Sequence, residues 1–151
     1  MRIGQYEWIG IITCISLGLL SGMSVSVGDS SWYMYLNKPS FNPPNWVFGP
    51  IWTLLYILMG IAAGKIWHNQ SMLQRTLFIS QFILNVLWSP LFFYFHQILF
   101  ALIDLCMLWA FLLALLFTVK KQTKIFILLF PYFIWVSFAG FLNYTIWLLN
   151  G

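Results

Sequence analysis

Apolar positions in this chain neither alternate nor keep to one side of a helix. They run almost without interruption through five stretches, about Tyr6–Val27, Asn45–Trp67, Met72–Phe95, Ile98–Val119 and Lys124–Leu149, separated by short polar or proline-bearing connections. Each stretch exceeds the ~20 residues that a helix needs to cross a ~30 Å hydrocarbon core. A helix that is apolar all round has no wet face, so lipid or a protein core must surround it. The pattern predicts an all-α membrane protein, a single domain over residues 1–151 built as a bundle of five transmembrane helices. Connections after the first are short, which predicts antiparallel neighbours. The first stretch is too long for the apolar core of a cleaved leader and no secreted domain follows it, so it is read as a span.

The first connection is different in kind. Over Trp32–Trp52, WYMYLNKPSFNPPNWVFGPIW, it carries Pro39, Pro43, Pro44 and Pro50 among aromatic rings, where a flexible linker would be rich in Gly, Ser and charge. Fixed backbone angles let such a loop keep a shape over a membrane surface. Pro43–Pro44 bars helix just upstream, because the residue before a proline is pushed toward extended geometry, so the second span should begin at about Pro44 or Asn45. Trp52 then lies inside that helix, beneath the loop. Pro90 and Pro131 are expected to kink or loosen the third and fifth spans.

Only 7% of the residues are charged, against about 25% in an ordinary soluble domain. Their placement is informative. Arg2, Lys65, Arg75, Lys120, Lys121 and Lys124 flank connections on one side and Lys38 alone falls on the other, which predicts a cytoplasmic amino terminus and an outward-facing Pro-rich loop and carboxyl terminus. The net charge of +4 thus reports topology; basic residues scattered singly at helix ends do not suit nucleic acid.

Within the spans, Asp104, Asn85 and Asn143 are the polar residues hardest to place in lipid. A carboxylate there costs on the order of 3 kcal/mol, so Asp104 should face the bundle interior or be protonated, as a helix-to-helix hydrogen bond, a polar group at a cavity or a proton site. Trp8, Trp46, Trp67 and Trp147 sit near span ends, where an interfacial belt accounts for them. Trp52, Trp88, Trp109 and Trp135 lie deeper. Trp52 and Trp88, with Asn85, Asp104, Asn143 and Tyr144, fall in the outward half, and Trp135 lies nearer the midplane. Aromatic walls with a few polar groups under a rigid loop describe a pocket for a flat, large, mostly apolar small molecule, with core packing as the plainer alternative for any one ring.

Other chemistry is thin. Cys14 and Cys106 lie within spans without metal-ligand spacing and read as small packing residues. His68 and His96 belong to connections on opposite faces and cannot share one metal or haem. Glu7, Asp29 and Asp104 are the whole acidic inventory. An ordinary hydrolase or transferase is therefore not expected, nor is an ion-coupled transporter, since there is no internal repeat and no chain of intramembrane charges. Gly18–Gly22 and Gly60–Gly64 carry the G-x-x-x-G spacing, which serves either packing within the monomer or a dimer interface.

The run from Trp32 to Tyr56, W-Y-x-x-L-x-K-P-S-F-x-P-P-x-W-V-F-G-P-I-W-x-x-L-Y, closely resembles the signature of the translocator protein family, also called tryptophan-rich sensory proteins or peripheral benzodiazepine receptors. LNVLWSPLFF at Leu84–Phe93, ALIDL at Ala101–Leu105 and PYFIWVSFAGFLNYTIWLLN at Pro131–Asn150 extend the resemblance over nearly the whole chain. It implies a five-helix membrane bundle, often a homodimer, whose first loop closes an outward pocket. It implies ligands of the class of protoporphyrin IX and haem-type tetrapyrroles, and synthetic isoquinoline carboxamides or benzodiazepines, with no required cofactor or metal. In a bacterium the location would be the plasma membrane. Carried over by position, Trp32, Tyr33, Trp52, Asn85, Trp88, Trp135 and Ala139 are expected to bind the ligand; Phe48, Tyr56, Phe92, Asp104 and Asn143 complete the expected ligand-binding set. Trp52 and Trp135 would be the participants in any light-dependent porphyrin breakdown; passive transport of porphyrin is a further alternative. The sequence departs from the family's animal members after Leu142-Asn143-Tyr144, where no Lys or Arg follows, so sterol binding through that helix is not expected.

Overall fold

The computed structural model describes residues 3–27, 30–69 and 71–151. Arg2 and Asp29, used above for orientation and for the acidic inventory, lie outside the described residues. Five helices are long and apolar enough to cross a membrane. They are α1 (Gln5–Val27), α3 (Asn45–His68), α4 (Met72–Ser89), α5 (Ile98–Val119) and α6 (Thr123–Asn150), with a short α2 (Ser30–Tyr35) in the first connection. Around the bundle the packing order is α1, α3, α6, α5, α4 and back to α1. Helices α3 and α4, although consecutive, touch only lightly, so side chains of α3, α4 and α6 meet across the interior.

Glycine sets the closest contact. A Cβ on Gly60 would collide with the backbone of Gly10 and Ile11, and one on Gly64 with that of Tyr6 and Glu7. The α1–α3 seam is therefore backbone against backbone, the arrangement that small-xxx-small spacing permits. Gly18 makes room for the Tyr56 ring, while Gly22 faces open space. Gly60–Gly64, left above between internal packing and a dimer interface, is taken up inside the chain.

The two halves of the bundle are filled differently. Toward the end where α3, α5 and the loops at Asn69 and Gln122 lie, the core is mainly aliphatic, with Met59, Ile66, Leu112, Leu115, Val119 and Leu129 buried completely. At the other end Phe92, Ala101, Leu142 and Ile146 form a second cluster onto which Trp32, Tyr33, Phe48 and Trp88 pack. Lys65 pairs with Glu7 at 3.3 Å, and Asn69 Nδ2 donates to Gln122 Oε1 at 2.8 Å, tying the start of α1 to α3 and joining two connections at the aliphatic end.

The prolines act unequally. Helix α3 opens at Asn45, directly after Pro43–Pro44. At Pro90 the third span changes from α-helix to a π-helical turn, Pro90–Tyr94, which re-aims the following aromatics. Pro131, expected to loosen the fifth span, sits within an unbroken α6. Neighbouring helices can re-satisfy the one backbone group a proline frees, so a membrane helix tolerates it.

Gly60→Ala should lower the thermal midpoint in detergent, corresponding to about 1–3 kcal/mol of overpacking. Gly22→Ala, with nothing near its Cβ, should leave the midpoint unchanged or raise it slightly, and unfolding followed by tryptophan fluorescence separates the two.

Candidate functional site

The site is built on a chain of hydrogen bonds through the bundle interior. Tyr56 Oη on α3 donates to Asn85 Oδ1 on α4 at 3.0 Å. Asn85 Nδ2 donates to Tyr132 Oη on α6 at 3.0 Å, and Tyr132 Oη donates to Gln81 Oε1 at 2.9 Å. Asn85, Tyr132 and Gln81 are buried. No lipid can replace these partners, so the chain holds α3, α4 and α6 in fixed relation. One helical turn toward the aromatic end from Tyr56, Asn85 and Tyr132 stand Trp52, Trp88 and Trp135, because i±3 and i±4 positions share a face.

Trp52 stacks on Tyr56, with ring centroids 5.5 Å apart, and meets Trp135 at a right angle with centroids 6.5 Å apart. Phe48 closes on Trp135 edge to face at 5.9 Å, and Phe138 follows at 5.5 Å. The indole Nε1 of Trp135 is buried and has no hydrogen-bond partner. Buried indole N–H groups ordinarily find an acceptor, so this donor is available to a bound molecule.

A second aromatic layer lies further out. Trp88 Nε1 donates to Asn143 Oδ1 at 3.1 Å, and Asn143 Nδ2 donates to the Ile98 carbonyl at 3.1 Å. Trp88 stacks on Phe92 at 5.4 Å. Trp32 and Tyr33 of α2 approach Phe92 edge-on at 5.6 and 6.1 Å, and Trp32 also stacks on His96 at 4.3 Å. His96 is the one non-glycine residue with positive φ among the described residues, 56°. Ala139 is half-buried between Trp135 and Asn143 on the same stripe of α6.

The loop is latched by polar contacts. Lys38 Nζ donates to the carbonyls of Tyr33, Leu36 and Met34 at 2.6, 3.0 and 3.3 Å, which gives the single outlying cation a structural role as the C-terminal cap of α2. Tyr33 Oη donates to Asn42 Oδ1 at 3.1 Å; burial pushes its phenol above the ordinary value, so it remains a neutral donor through the physiological range. Asn150 near the end of α6 bonds reciprocally with the Asn37 backbone, both contacts at 2.9 Å. Phe41 stacks on Phe141 at 5.3 Å.

Several residues stand elsewhere. Asp104 is buried on the inward face of α5 beside Ala101 and Leu105, its Oδ2 without a partner, and no hydrogen bond joins it to the aromatic layers. Trp109, placed above among the deep tryptophans, lies on the outer surface between α5 and α6 with its Nε1 donating to Ser137 Oγ at 2.9 Å. Tyr144 is likewise exposed on the outer face of α6. An outward position along the span does not fix which way a side chain points around the helix. Tyr132, Gln81, His96 and Phe138 were not anticipated; Gln81, one turn from Asn85 in an apolar span, was the available signal for the first two.

The TspO/MBR family model matches residues 10–148. The chain belongs to the TspO/MBR family. A tryptophan-rich protein TspO of Chlorobaculum tepidum is 40% identical over 144 residues, covering 91% of this chain and 90% of that relative. A tryptophan-rich sensory protein of Cereibacter sphaeroides is 37% identical, covering 95% and 93%. The human translocator protein is 33% identical, covering 92% and 87%. Together with the five apolar helices, membership in the TspO/MBR family makes this an integral membrane protein.

Tyr132→Phe should strand Asn85 Nδ2 and Gln81 Oε1, costing about 1–3 kcal/mol through unsatisfied buried groups. The expected readout is a lower thermal midpoint with the helical circular dichroism of the native state intact before the transition.

Proposed function

We propose that this TspO/MBR protein binds porphyrins or related tetrapyrroles between its two aromatic layers, beneath the loop carrying α2. The observation that supports this reading most directly is the set of rings from Phe48, Trp52, Trp135 and Phe138 around one unpartnered indole donor. Flat faces suit a planar macrocycle by stacking, and the N–H suits an acceptor on it. In this structure the rings pack on one another, so a ligand enters by separating them and displacing Trp32 and Tyr33. Other flat apolar molecules, including isoquinoline carboxamides and benzodiazepines, present the same features. The arrangement serves a receptor that reports tetrapyrrole levels. The basic helix ends would face the cytoplasm of a bacterium's plasma membrane, with the α2 loop and carboxyl terminus outside.

A second reading, light-dependent oxidative breakdown of the bound porphyrin, draws on the direct Trp52–Trp135 contact and on Tyr56 and Tyr132 behind it. Oxidisable rings next to an excited macrocycle and dioxygen would take part in that chemistry. The porphyrin itself would absorb the light.

In the dark, protoporphyrin IX should quench tryptophan fluorescence saturably, and Trp52→Ala should weaken the half-saturation about ten-fold through lost stacking. Absence of saturable quenching at micromolar protein would remove the binding reading. Under aerobic illumination, loss of the porphyrin absorption bands that slows in Trp52→Phe would support breakdown; equal loss with and without protein would remove it.

A further inference from the structure

At the end of the bundle opposite the aromatic site lies an open cleft of about 440 Å³, lined by Glu7, Lys65, His68, Asn69, Gln122 and Lys124 among others. Its charged lining, Lys65 and Lys124 against Glu7, is net positive. The Glu7 carboxylate is occupied on both oxygens, Oε1 by Lys65 Nζ at 3.3 Å and Oε2 by the Gly4 N–H at 3.1 Å. The Gln122 Oε1 acceptor is taken by Asn69 Nδ2, with Asn69 Oδ1 the remaining amide acceptor of the pair. That bond leaves Gln122 Nε2 as a donor, and Lys124 Nζ has no ion-pair partner among the described residues. Lys65 keeps further donor capacity, since an ammonium carries three N–H bonds. Thr123 and Lys124 also open α6, where backbone N–H groups have no helical partner.

A concave surface with surplus donors and net positive charge is complementary to a compact anion. Topology alone asks for cations near a cytoplasmic membrane surface, but it does not ask for them to converge on a cleft between two connections and the start of α1. From this convergence we infer that the cleft is a phosphate-recognising site, held by Lys65, Lys124 and Gln122, for the headgroup of an anionic phospholipid or for a free phosphate. Basic pockets between helices at this depth are where anionic headgroups sit. Occupancy would tie the starts of α1 and α6 to the end of α3 and so stabilise the folded bundle. The site is independent of the tetrapyrrole reading, because it lies at the other end of the molecule.

The test is thermal unfolding of the full chain in a neutral detergent, titrated with dihexanoyl phosphatidylglycerol, dihexanoyl phosphatidylcholine, inorganic phosphate and chloride at matched ionic strength. The expected result is a saturable rise in midpoint with phosphatidylglycerol or phosphate and none with phosphatidylcholine or chloride. A rise with phosphatidylglycerol alone assigns a lipid headgroup; an equal rise with phosphate assigns the free anion. Lys124→Gln should weaken half-saturation about ten-fold, the loss of one charge-assisted hydrogen bond. Lys121→Gln, a neighbouring cation outside the cleft, should leave it unchanged, and Gln122→Ala provides a second lining variant should Lys124→Gln fold poorly. No saturable shift, the same shift with chloride, or equal weakening by Lys121→Gln would overturn the assignment.

Discussion

The hydrogen-bonded chain Tyr56–Asn85–Tyr132–Gln81 is the constraint on which the aromatic end of this protein depends. In a bundle surrounded by lipid, polar side chains have no water to fall back on, so the bonds these four make to one another favour a single arrangement of the helices. That requirement joins helices that backbone packing alone leaves apart. Helices α4 and α6 are not neighbours around the bundle, yet Asn85 and Tyr132 bridge them at one level, and Trp88 and Asn143 bridge them again nearer the aromatic end. Because Trp52, Trp88 and Trp135 each stand one turn beyond a member of the chain, the tryptophans inherit their positions from it.

The two halves of the bundle divide the work. Aliphatic residues at the basic end interdigitate into a filled core, and the Gly60–Gly64 seam brings α1 and α3 backbone to backbone. This supplies a rigid base. At the other end planar rings meet edge to face and face to face, a packing that can separate along flat surfaces without leaving polar groups unpaired. The loop above is held by Lys38, by Tyr33 to Asn42 and by Asn37 to Asn150, a small number of exposed or half-buried bonds. Such contacts are individually modest, so the loop is the part of the molecule that can yield to a ligand at least cost.

The helices were legible in the chain because lipid demands long apolar runs, and little else in a sequence produces them. The start of α3 was legible from Pro43–Pro44, whereas the loosening expected alike at Pro90 and Pro131 is found as a π-helical turn at Pro90 alone. Residues such as Trp52, Asn85 and Trp135 stood out as rings or amides in the wrong solvent. What hydropathy could not supply was rotation about each helix axis: Trp109 and Tyr144 lie at plausible depths but face outward, whereas Tyr132 faces inward to complete the polar chain. The α2 turn was hidden by its length, since six residues carry no period, and its stability comes from Lys38 and from Phe92 beneath it.

We propose that a planar tetrapyrrole lodges between the aromatic layers and not on the membrane-facing surface. An experimental structure of the protein with protoporphyrin IX tests it most directly. The macrocycle should lie between the Trp52–Trp135 layer and the Trp88–Phe92 layer, within hydrogen-bond reach of Trp135 Nε1, with Trp32 and Tyr33 displaced from Phe92. A macrocycle seated instead in the outer groove beside Trp109 and Tyr144, with the α2 loop and the Trp52–Trp135 contact unchanged, would contradict the account.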